Sequence, residues 1–594
     1  MIDLSIAALH TAFLDGTLTP RGLLAELQHR IATVAKMDPA IWISLTPSDR
    51  LDEYLTALEQ ASPDTHPLYG VPFAIKDNID LAGVPTTAAC PDFAYTPDEH
   101  ATVVRLLIEA GAIPLGKTNL DQFATGLVGV RSPFGIPKNP FNADFITGGS
   151  SSGSAVAVAR DLVTFALGTD TAGSGRVPAG LNGLVGLKPS LGLLSNKGVV
   201  PACRSLDCVS IFARSPQDAA AVMAVAAKPD ARDAFSRPLG ATPWFSPRDF
   251  VFAVPQSEQL RWFGNTEAEA LFHASIKRLT ACGGTMRTID FAPFFEAARL
   301  LYEGPWVAER YAAIEEILVR SPESLHPVTR GIISGGAALS AVDAFRAGYR
   351  LRELKQAADA VFRDQGIDVL VTPTAGTAFR IDEVLAEPVA RNSELGYYTN
   401  FMNLLDLSAC AIPAGMLSAS GVPWGITLAA PAFAEKALLD LGALFLHDAL
   451  ESACTPPSDW IEVAVCGAHL RGLPLNHQLT NRGARFLAED LTSADYKLFA
   501  LPATERIPQR PGLIRVPDGT GASIKLERWV VPAQHFGSFV ASIPAPLGFG
   551  KIRLGGGTEV SGFLCESEMP PGSLEITHLG GWRDYLTGLS DGTG

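Results

Sequence analysis

The sequence predicts a layered α/β domain with a mixed sheet, followed by a smaller β-rich domain. Strand-like and helix-like segments alternate through the middle of the chain, as at 251–254, 265–281 and 288–290. Such alternation is typical of a sheet that is covered by helices. Beyond residue 460, short strand-like runs separated by Gly-rich turns replace this pattern, which indicates a compact β-rich fold.

The length of the chain also indicates more than one domain. Its 594 residues exceed the size of one average domain, and 47% hydrophobic against 18% charged residues is enough for a large core. Residues 452–459 contain a pair of prolines and have the composition of a loop. We therefore predict a first domain over 1–451, a linker over 452–459 and a second domain over 460–594.

The N-terminal segment, residues 6–57, has the pattern of amphipathic helices. Apolar residues recur at helical spacing over 21–31, and Thr19-Pro20 just before them is a helix-start signal. We expect this segment to serve packing.

Composition excludes several classes of function. A net charge of −15 argues against nucleic acid or an anionic membrane as the main partner. The eight cysteines are scattered, with no CxxC pair and no zinc-like spacing, so we predict no metal, no cofactor and free thiols in a reducing compartment. The N-terminus lacks the pattern of a signal peptide, and no apolar run reaches membrane-spanning length. We expect a cytoplasmic protein.

Residues 148–178 hold the strongest chemical signal in the sequence. The Gly/Ser loop Gly148–Ser154 precedes a small-residue helix over 155–160 and a buried strand over 162–167, and the turn Thr171–Gly175 follows. A serine between glycines just past a buried strand, as Ser174 is, has an exposed hydroxyl with backbone N–H groups around it. A nucleophile with an oxyanion hole requires this arrangement. The alternative is a flexible Gly/Ser connector.

A general base must come from outside this stretch, because no histidine lies between His100 and His273. Lys76 ends the apolar, strand-like part of residues 68–78. Burial disfavours the ammonium form and lowers the pKa of a lysine, so that it can act as a base. The alternative is a lysine that is ion-paired, for example with Asp77.

Three motifs in this order resemble the amidase signature family. They are GVPFAIKDN around Lys76, GGSSSGSAVAVA around Ser150 and GTDTAGSGRVPAGLNGLVGLKPS around Ser174. The resemblance extends over about residues 6–449 and implies a Ser-cisSer-Lys catalytic unit. In it Ser174 is the nucleophile, Ser150 the bridging serine with a cis peptide bond, and Lys76 the base.

The same resemblance assigns the surroundings of the nucleophile. It implies that Asp170 and Arg176 form a structural clamp around the turn. The expected oxyanion hole consists of the backbone N–H groups of Thr171, Ala172, Gly173 and Ser174.

Specificity must come from other residues, and the run LYEGPWVAER at 301–310 is informative. Tyr302 and Arg310 are eight residues apart, about two helical turns, and could face one pocket. Arginine is well suited to hold a carboxylate. The alternative is a surface arginine paired with Glu303 or Glu309.

The 301–310 run resembles the allophanate hydrolase branch of the family. Allophanate carries a terminal carboxylate beside its ureido group. The resemblance implies that Tyr302 and Arg310 hold this substrate, with the loop at Gly126 opposite them.

The second domain has strand candidates at 461–465, 496–501, 512–516 and 528–531. We predict a compact β-rich barrel with one or two helices. It resembles the C-terminal domain of full-length allophanate hydrolases, which is similar to the γ-glutamyl cyclotransferase fold. His469 follows a strand directly, in a Gly-containing turn, and could handle a proton. The resemblance implies that this domain decarboxylates N-carboxycarbamate with His469; the alternatives are a structural histidine and a binding or assembly module.

Two other functions stay open at this point. One is an amidase for another small carboxylated amide such as malonamate, which would keep Arg310 without needing the second domain. The other is an amidotransferase A-type subunit that serves aminoacyl-tRNA, although the acidic balance and the β-rich extension do not support it. The resemblance further suggests a homodimer and functional coupling to a urea carboxylase.

Overall fold

The computed structural model describes residues 2–446, 456–503, 509–566 and 569–591. The chain divides into two compact units. The first comprises residues 1–243 and 250–451, and the second comprises 244–249 and 452–594. Of the predicted linker, 452–459, residues 452–455 lie outside the described residues.

The first unit is built on one sheet, which has eleven strands in the described residues. The strands are β1 (Trp42–Leu45), β2 (Pro72–Lys76), β3 (Ile113–Thr118), β4 (Phe165–Asp170), β5 (Val185–Lys188), β6 (Cys208–Ala213), β7 (Phe250–Pro255), β8 (Gly284–Ile289), β9 (Val369–Pro373), β10 (Leu407–Leu417) and β11 (Val422–Pro431). Their order is β1-β3-β2-β4-β6-β5-β10-β11-β9-β7-β8. The pairs of β2 with β3 and β4, and of β7 with β8 and β9, are parallel, and the others are antiparallel. The sheet is therefore mixed, as predicted.

Helices cover this sheet. They are α1 (Ile6–Leu14), α2 (Pro20–Ala35), α3 (Ser48–Leu58), α4 (Thr102–Glu109), α5 (Ser152–Ala159), α6 (Val177–Leu181), α7 (Pro216–Ala226), α8 (Thr266–Ala281), α9 (Ala292–Glu303), α10 (Trp306–Arg320), α11 (Pro327–Ser334), α12 (Ala341–Gln365), α13 (Ile381–Ala386), α14 (Ala390–Leu395), α15 (Phe401–Leu404) and α16 (Glu435–Leu446). Every residue of β2, β4 and β9 is buried, so both faces of the central strands are covered. The predicted layered α/β class is confirmed.

Local chemistry accounts for the elements near the predicted site. Thr19 caps α2 by accepting a hydrogen bond from Gly22 N at 3.1 Å, and Pro20 occupies the first turn. α5 contains only small and β-branched residues. At Gly153 a side chain would lie 2.3 Å from the carbonyl oxygen of Ile41, so glycine is required there. The helical prediction for 6–57 missed β1, a four-residue strand at the edge of the sheet.

The second unit is β-rich, which confirms that prediction. Its elements are β12 (Trp460–Val465), α17 (His477–Thr480), β13 (Arg485–Leu491), β14 (Tyr496–Leu501), β15 (Arg510–Arg515), β16 (Lys525–Pro532), α18 (Ala533–Val540), β17 (Leu547–Arg553), β18 (Glu559–Cys565), β19 (Leu574–Glu575) and α19 (Trp582–Asp591). The strands form a sheet of order β13-β16-β12-β18-β17 and a smaller one of order β15-β14-β19. The four strand candidates coincide with β12, β14, β15 and β16. The described residues of this unit contain three helices, whereas one or two were predicted. The four-residue helix α17 is too short to show a helical pattern in the sequence.

Candidate active site

The three motifs meet at one edge of the large sheet. Lys76 is the last residue of β2, and the parallel neighbour β4 ends at Asp170. The carboxyl ends of adjacent parallel strands lie at the same edge, where α/β sheets commonly bind ligands. Ser174 lies in the turn after β4, and Ser150 lies in the Gly/Ser loop that leads into α5.

Lys76 is fully buried and bonded to the bridging serine. Its Nζ donates to Ser150 Oγ at 2.7 Å and to Thr169 Oγ1 at 2.7 Å. Asp77 instead pairs with Lys117, 3.1 Å away, and no carboxylate in the described part of the chain forms an ion pair with Lys76. Burial lowers the pKa of Lys76 to about 7, although the fields of nearby carboxylates oppose the shift. The ion-paired alternative for Lys76 is therefore wrong.

Ser150 is held by its backbone as well as by Lys76. The Gly149–Ser150 peptide bond is cis, in agreement with the resemblance. Asp121 N donates to the Ser150 carbonyl at 3.0 Å. A side chain at position 149 would lie 2.2 Å from Asp121 Oδ2, so only glycine fits there.

Asp121 is a site residue that the sequence reasoning did not single out. Its buried carboxylate accepts backbone N–H groups from Val128, Gly129 and Arg131 at 2.9 to 3.1 Å. These bonds fix the loop that carries Gly126 against the Gly/Ser loop. The contacts between residues 121 and 149–150 join separate motifs, and motif spacing does not reveal them.

The turn around Ser174 is clamped as expected. Asp170 and Arg176 are both fully buried and form two hydrogen bonds of 2.9 Å. Burial alone raises the pKa of Asp170, but the charge and hydrogen bonds of Arg176 hold that pKa below its ordinary value. The carboxylate also accepts N–H groups from Gly173 at 3.0 Å and Gly175 at 2.9 Å.

This clamp changes the expected set of oxyanion donors. The Gly173 N–H is occupied by Asp170. The N–H groups of Thr171, Ala172 and Ser174 have no acceptor among the described residues, so three of the four predicted donors are available. The difference arises because Gly173, at φ +139°, turns its N–H back toward the end of β4.

The hydroxyl of Ser174, the predicted nucleophile, contacts the Gly126 loop. Ser174 Oγ donates to the Gly126 carbonyl at 3.4 Å, and in the described structure Ser150 and Ser174 are not hydrogen-bonded to each other. The next contact along this loop belongs to Arg310, whose Nη1 donates to Thr125 Oγ1 at 3.1 Å. Two consecutive residues, Thr125 and Gly126, therefore join Arg310 to the nucleophile.

Arg310 is a buried cation without a carboxylate partner. The residue is 1% exposed, and its Nε has no hydrogen-bond partner. Glu309 accepts instead from the backbone and hydroxyl of Ser205 at 2.8 and 2.6 Å. No described acidic residue forms an ion pair with Arg310, so the alternative of a surface arginine paired with Glu303 or Glu309 is wrong.

Tyr302 and Arg310 meet, but they do not share one helix. Gly304 and Pro305 separate α9 from α10, because proline cannot continue a helix and glycine favours its end. The Arg310 guanidinium carbon lies 5.4 Å from the centre of the Tyr302 ring. Tyr302 also lines a cavity of about 330 Å³ together with Arg131 and Asn392.

Asp207 is a second residue that the sequence reasoning missed. Its carboxylate accepts the Thr171 hydroxyl at 2.5 Å and the N–H groups of Ala202 and Cys203 at 2.8 and 3.2 Å. Burial raises its pKa to about 6. Asp207 thereby fixes Thr171, which is one of the three residues with a free N–H group.

His469 lies in the second unit, in the turn after β12. Its Nε2 is 3.0 Å from Gln478 Oε1, and its ring is stacked on Phe563 at 5.2 Å between centroids. Burial lowers the pKa of His469. The residue lines a cavity of about 250 Å³ that also includes Gln478, Arg510 and Phe563.

Two further features concern the described residues as a whole. They contain no group of three or more His, Cys, Asp or Glu side chains that could hold a metal ion. None of their helices is both long and apolar enough to cross a membrane.

Comparison with known proteins gives two family matches. The model of the family described as "Amidase" matches residues 23–439, and that of the "Allophanate hydrolase C-terminal domain" matches residues 461–587. A urea amidolyase from Lachancea kluyveri is 45% identical over 93% of this chain. The chain spans 31% of the length of that relative.

Two other relatives cover the chain differently. The solved structure of Kluyveromyces lactis allophanate hydrolase is 43% identical, with a TM-score of 0.82, and the match covers 98% of this chain and 99% of that one. The A-type subunit of a glutamyl-tRNA(Gln) amidotransferase from Deinococcus deserti is 34% identical over 75% of this chain and 96% of its own length.

Proposed function

The chain belongs to the amidase family, and on that premise we propose that it hydrolyses allophanate in two steps, one in each unit. It is an amidohydrolase that acts on C–N bonds. The observation that supports allophanate as the substrate concerns Arg310, which is buried and has no carboxylate partner among the described residues. Thr125 and Gly126 connect it to the hydroxyl of Ser174. A buried cation without a partner requires an anion, and allophanate has a carboxylate beside its ureido group.

The first step uses Lys76, Ser150 and Ser174. Neutral Lys76 takes the proton of the Ser150 hydroxyl, while Ser150 takes the proton of Ser174. The Ser174 hydroxyl first turns from Gly126 toward Ser150, and its oxygen then attacks the terminal amide carbonyl. This is a serine-lysine form of nucleophilic catalysis.

The oxyanion that forms is stabilised by the free N–H groups of Thr171, Ala172 and Ser174, and one such donor is typically worth about 3 kcal/mol. Ammonia leaves with the proton that returns through Ser150. Water then hydrolyses the acyl-enzyme and releases N-carboxycarbamate. Thr171 keeps its position because Asp207 holds its hydroxyl.

Arg310 and Tyr302 orient the substrate. The guanidinium donates to the carboxylate, and the face of the Tyr302 ring, 5.4 Å away, stabilises the cation and fixes its plane. Uncharged amides lack this interaction, so the geometry favours allophanate over simple amides.

Replacing the buried arginine tests the substrate. We expect Arg310→Gln to lower kcat/KM for allophanate by about 10²- to 10³-fold, since the carboxylate loses a desolvated charged partner. For propionamide, which has no carboxylate, we expect a change of less than about threefold. Steady-state ammonia release from both substrates measures the difference.

Arg320→Gln is the matched control, because Arg320 lies on the same helix, α10, but pairs on the surface with Glu316. Its kinetics should match those of the wild type. If Arg310→Gln impairs both substrates equally, Arg310 supports the fold rather than the carboxylate. Equal turnover of malonamate and allophanate by the wild type would favour the malonamate-type amidase.

The second step is assigned to His469. N-carboxycarbamate enters the cavity in the second unit and loses CO₂, and His469 moves the proton that this step needs. We expect His469→Ala to keep the initial rate of allophanate consumption, to release one ammonia per allophanate instead of two, and to accumulate N-carboxycarbamate, which ¹³C NMR with labelled allophanate detects. Gln478→Ala, which removes the bond to Nε2, should slow the same step less.

The amidotransferase alternative accounts for less of the chain. The amidotransferase subunit matches 75% of this chain. Residues 461–587 match a different family model, that of the "Allophanate hydrolase C-terminal domain". The assignment to allophanate uses both units.

Partners and location complete the proposal. A homodimer is supported by Val342, Phe345 and Tyr349, which lie on one side of α12 with more than half of each residue exposed, and light scattering of the pure chain tests it. Coupling to a urea carboxylase stays an expectation from the resemblance; the urea amidolyase relative, of which this chain spans 31%, has room for further domains. A cytoplasmic location is supported by the free thiols of Cys203 and Cys410.

A further inference from the structure

Arg510 lines the cavity that contains His469, and two of its hydrogen-bond donors have no partner. It is the first residue of β15, and its Nη2 donates to the Ala545 carbonyl at 2.9 Å. Its Nε and Nη1 are buried and have no hydrogen-bond partner. Buried donors of a charged group are costly to leave unpaired, and each such case needs an explanation.

The fold brings Arg510 beside the His469 turn. Pro511 follows Arg510 in β15, and a side chain at Gly467 would lie 2.3 Å from Pro511 Cγ. The backbone of the turn that carries His469 therefore packs directly on β15. Both His469 and Arg510 line the same cavity of about 250 Å³.

We propose that Arg510 is the anion-binding residue of this cavity and holds one carboxylate of the N-carboxycarbamate dianion. The inference rests on the proposed function of the second unit. N-carboxycarbamate has two carboxylates on one nitrogen, and no described acidic residue forms an ion pair with Arg510. The guanidinium Nε and Nη1 groups therefore remain for charge-assisted hydrogen bonds to the ligand.

The remaining walls suit the carboxylate that leaves. Leucine, isoleucine and phenylalanine side chains line a large part of the cavity, namely Leu475, Leu513, Ile543, Leu547 and Phe563. Gln509 and Ser542 are further polar residues of its wall. A carboxylate against these walls is poorly solvated, which favours its loss as neutral CO₂.

The step balances with one proton. One C–N bond breaks, its electron pair stays on nitrogen, CO₂ leaves, and the nitrogen takes a proton to give carbamate. His469 supplies that proton: its Nε2 is engaged by Gln478, and its Nδ1 has no hydrogen-bond partner among the described residues. A dianion held by Arg510 beside the imidazole favours the imidazolium form that donates.

Binding of malonate to the full chain tests the proposal. Malonate is the carbon isostere of N-carboxycarbamate, and titration calorimetry in an Arg310→Gln background removes the carboxylate site of the first unit. We expect Arg510→Gln to weaken malonate binding by at least about 30-fold, and Arg510→Lys to restore part of it. Arg515→Gln is the matched control, because Arg515 is the last residue of β15 and pairs with Asp495 outside the cavity.

Product analysis during turnover of allophanate distinguishes a failure of the role of Arg510 from a failure of the proposed decarboxylase function. In a wild-type background, Arg510→Gln should keep the initial rate of allophanate consumption and accumulate N-carboxycarbamate, as His469→Ala should. If only His469→Ala accumulates it, the second unit is the decarboxylase and the role of Arg510 is overturned. If neither variant does, the decarboxylase function falls, and the role of Arg510 falls with it. The unfolding temperature of each variant, compared with that of Arg515→Gln, identifies any loss of fold.

Discussion

Ser174→Ala should lower ammonia release from allophanate by about 10⁴- to 10⁶-fold, the range found when a serine nucleophile is removed from a catalytic unit that acts as a whole. The alanine lacks the oxygen that forms the acyl-enzyme. Arg310, Tyr302 and the free N–H groups remain in place, so binding should survive. Steady-state kinetics give the loss of rate, and calorimetry with allophanate gives the retained affinity.

Ser152→Ala is the control from the same Gly/Ser-rich region. Its hydroxyl makes one weak bond, 3.4 Å long, to the Asn119 carbonyl, so we expect near wild-type activity. If Ser174→Ala keeps more than about 1% of the wild-type rate, a different residue forms the covalent bond.

The sequence could predict which residues form the candidate site because each of them lies in a local run of residues. Lys76, Ser150 and Ser174 each lie in a motif where glycines and a buried strand fix the backbone. The structure brings Lys76 and Ser150 within 2.7 Å of each other. The layered α/β fold was also predictable, because the alternation of strand-like and helix-like segments is visible in the sequence.

What the sequence could not predict are contacts between distant segments. Asp121 and Asp207 fix the loops of the site through backbone N–H groups and one hydroxyl, and neither lies in a distinctive run. The occupied N–H of Gly173 depends on a single backbone angle. Arg510 lies in a strand that looks ordinary in the sequence, and only burial reveals its unpaired donors.

In segment 301–310 the predicted contact between Tyr302 and Arg310 is present, although the predicted single helix is not. Spacing of eight residues predicted one helix, yet Gly304-Pro305 ends α9 and starts α10. Tyr302 and Arg310 still meet across this bend, with 5.4 Å between the Tyr302 ring centre and the Arg310 guanidinium carbon. Pro305 marks this helix boundary in the sequence, and its effect on the backbone outweighs the eight-residue spacing.

Lys76→Met should lower ammonia release by about 10³-fold or more. Methionine fills the buried space but cannot accept a proton from Ser150. Lys76→Arg is the informative partner variant, because a guanidinium keeps the positive charge and does not deprotonate in proteins. Both variants should be inactive and folded, as steady-state kinetics and thermal unfolding can measure. Substantial activity in Lys76→Arg would contradict the role of the neutral lysine.

The pH dependence of the wild type follows from the same residue. Only neutral Lys76 is a base, and its pKa is about 7. Well below that pH, kcat/KM should rise about tenfold per unit, and it should level off above it. The field of Asp207 raises the pKa of Lys76, so Asp207→Asn removes a negative charge and should shift the rise to lower pH. Asp207 itself has a pKa of about 6; if it were the titrating group, the rise would disappear in Asp207→Asn instead of shifting.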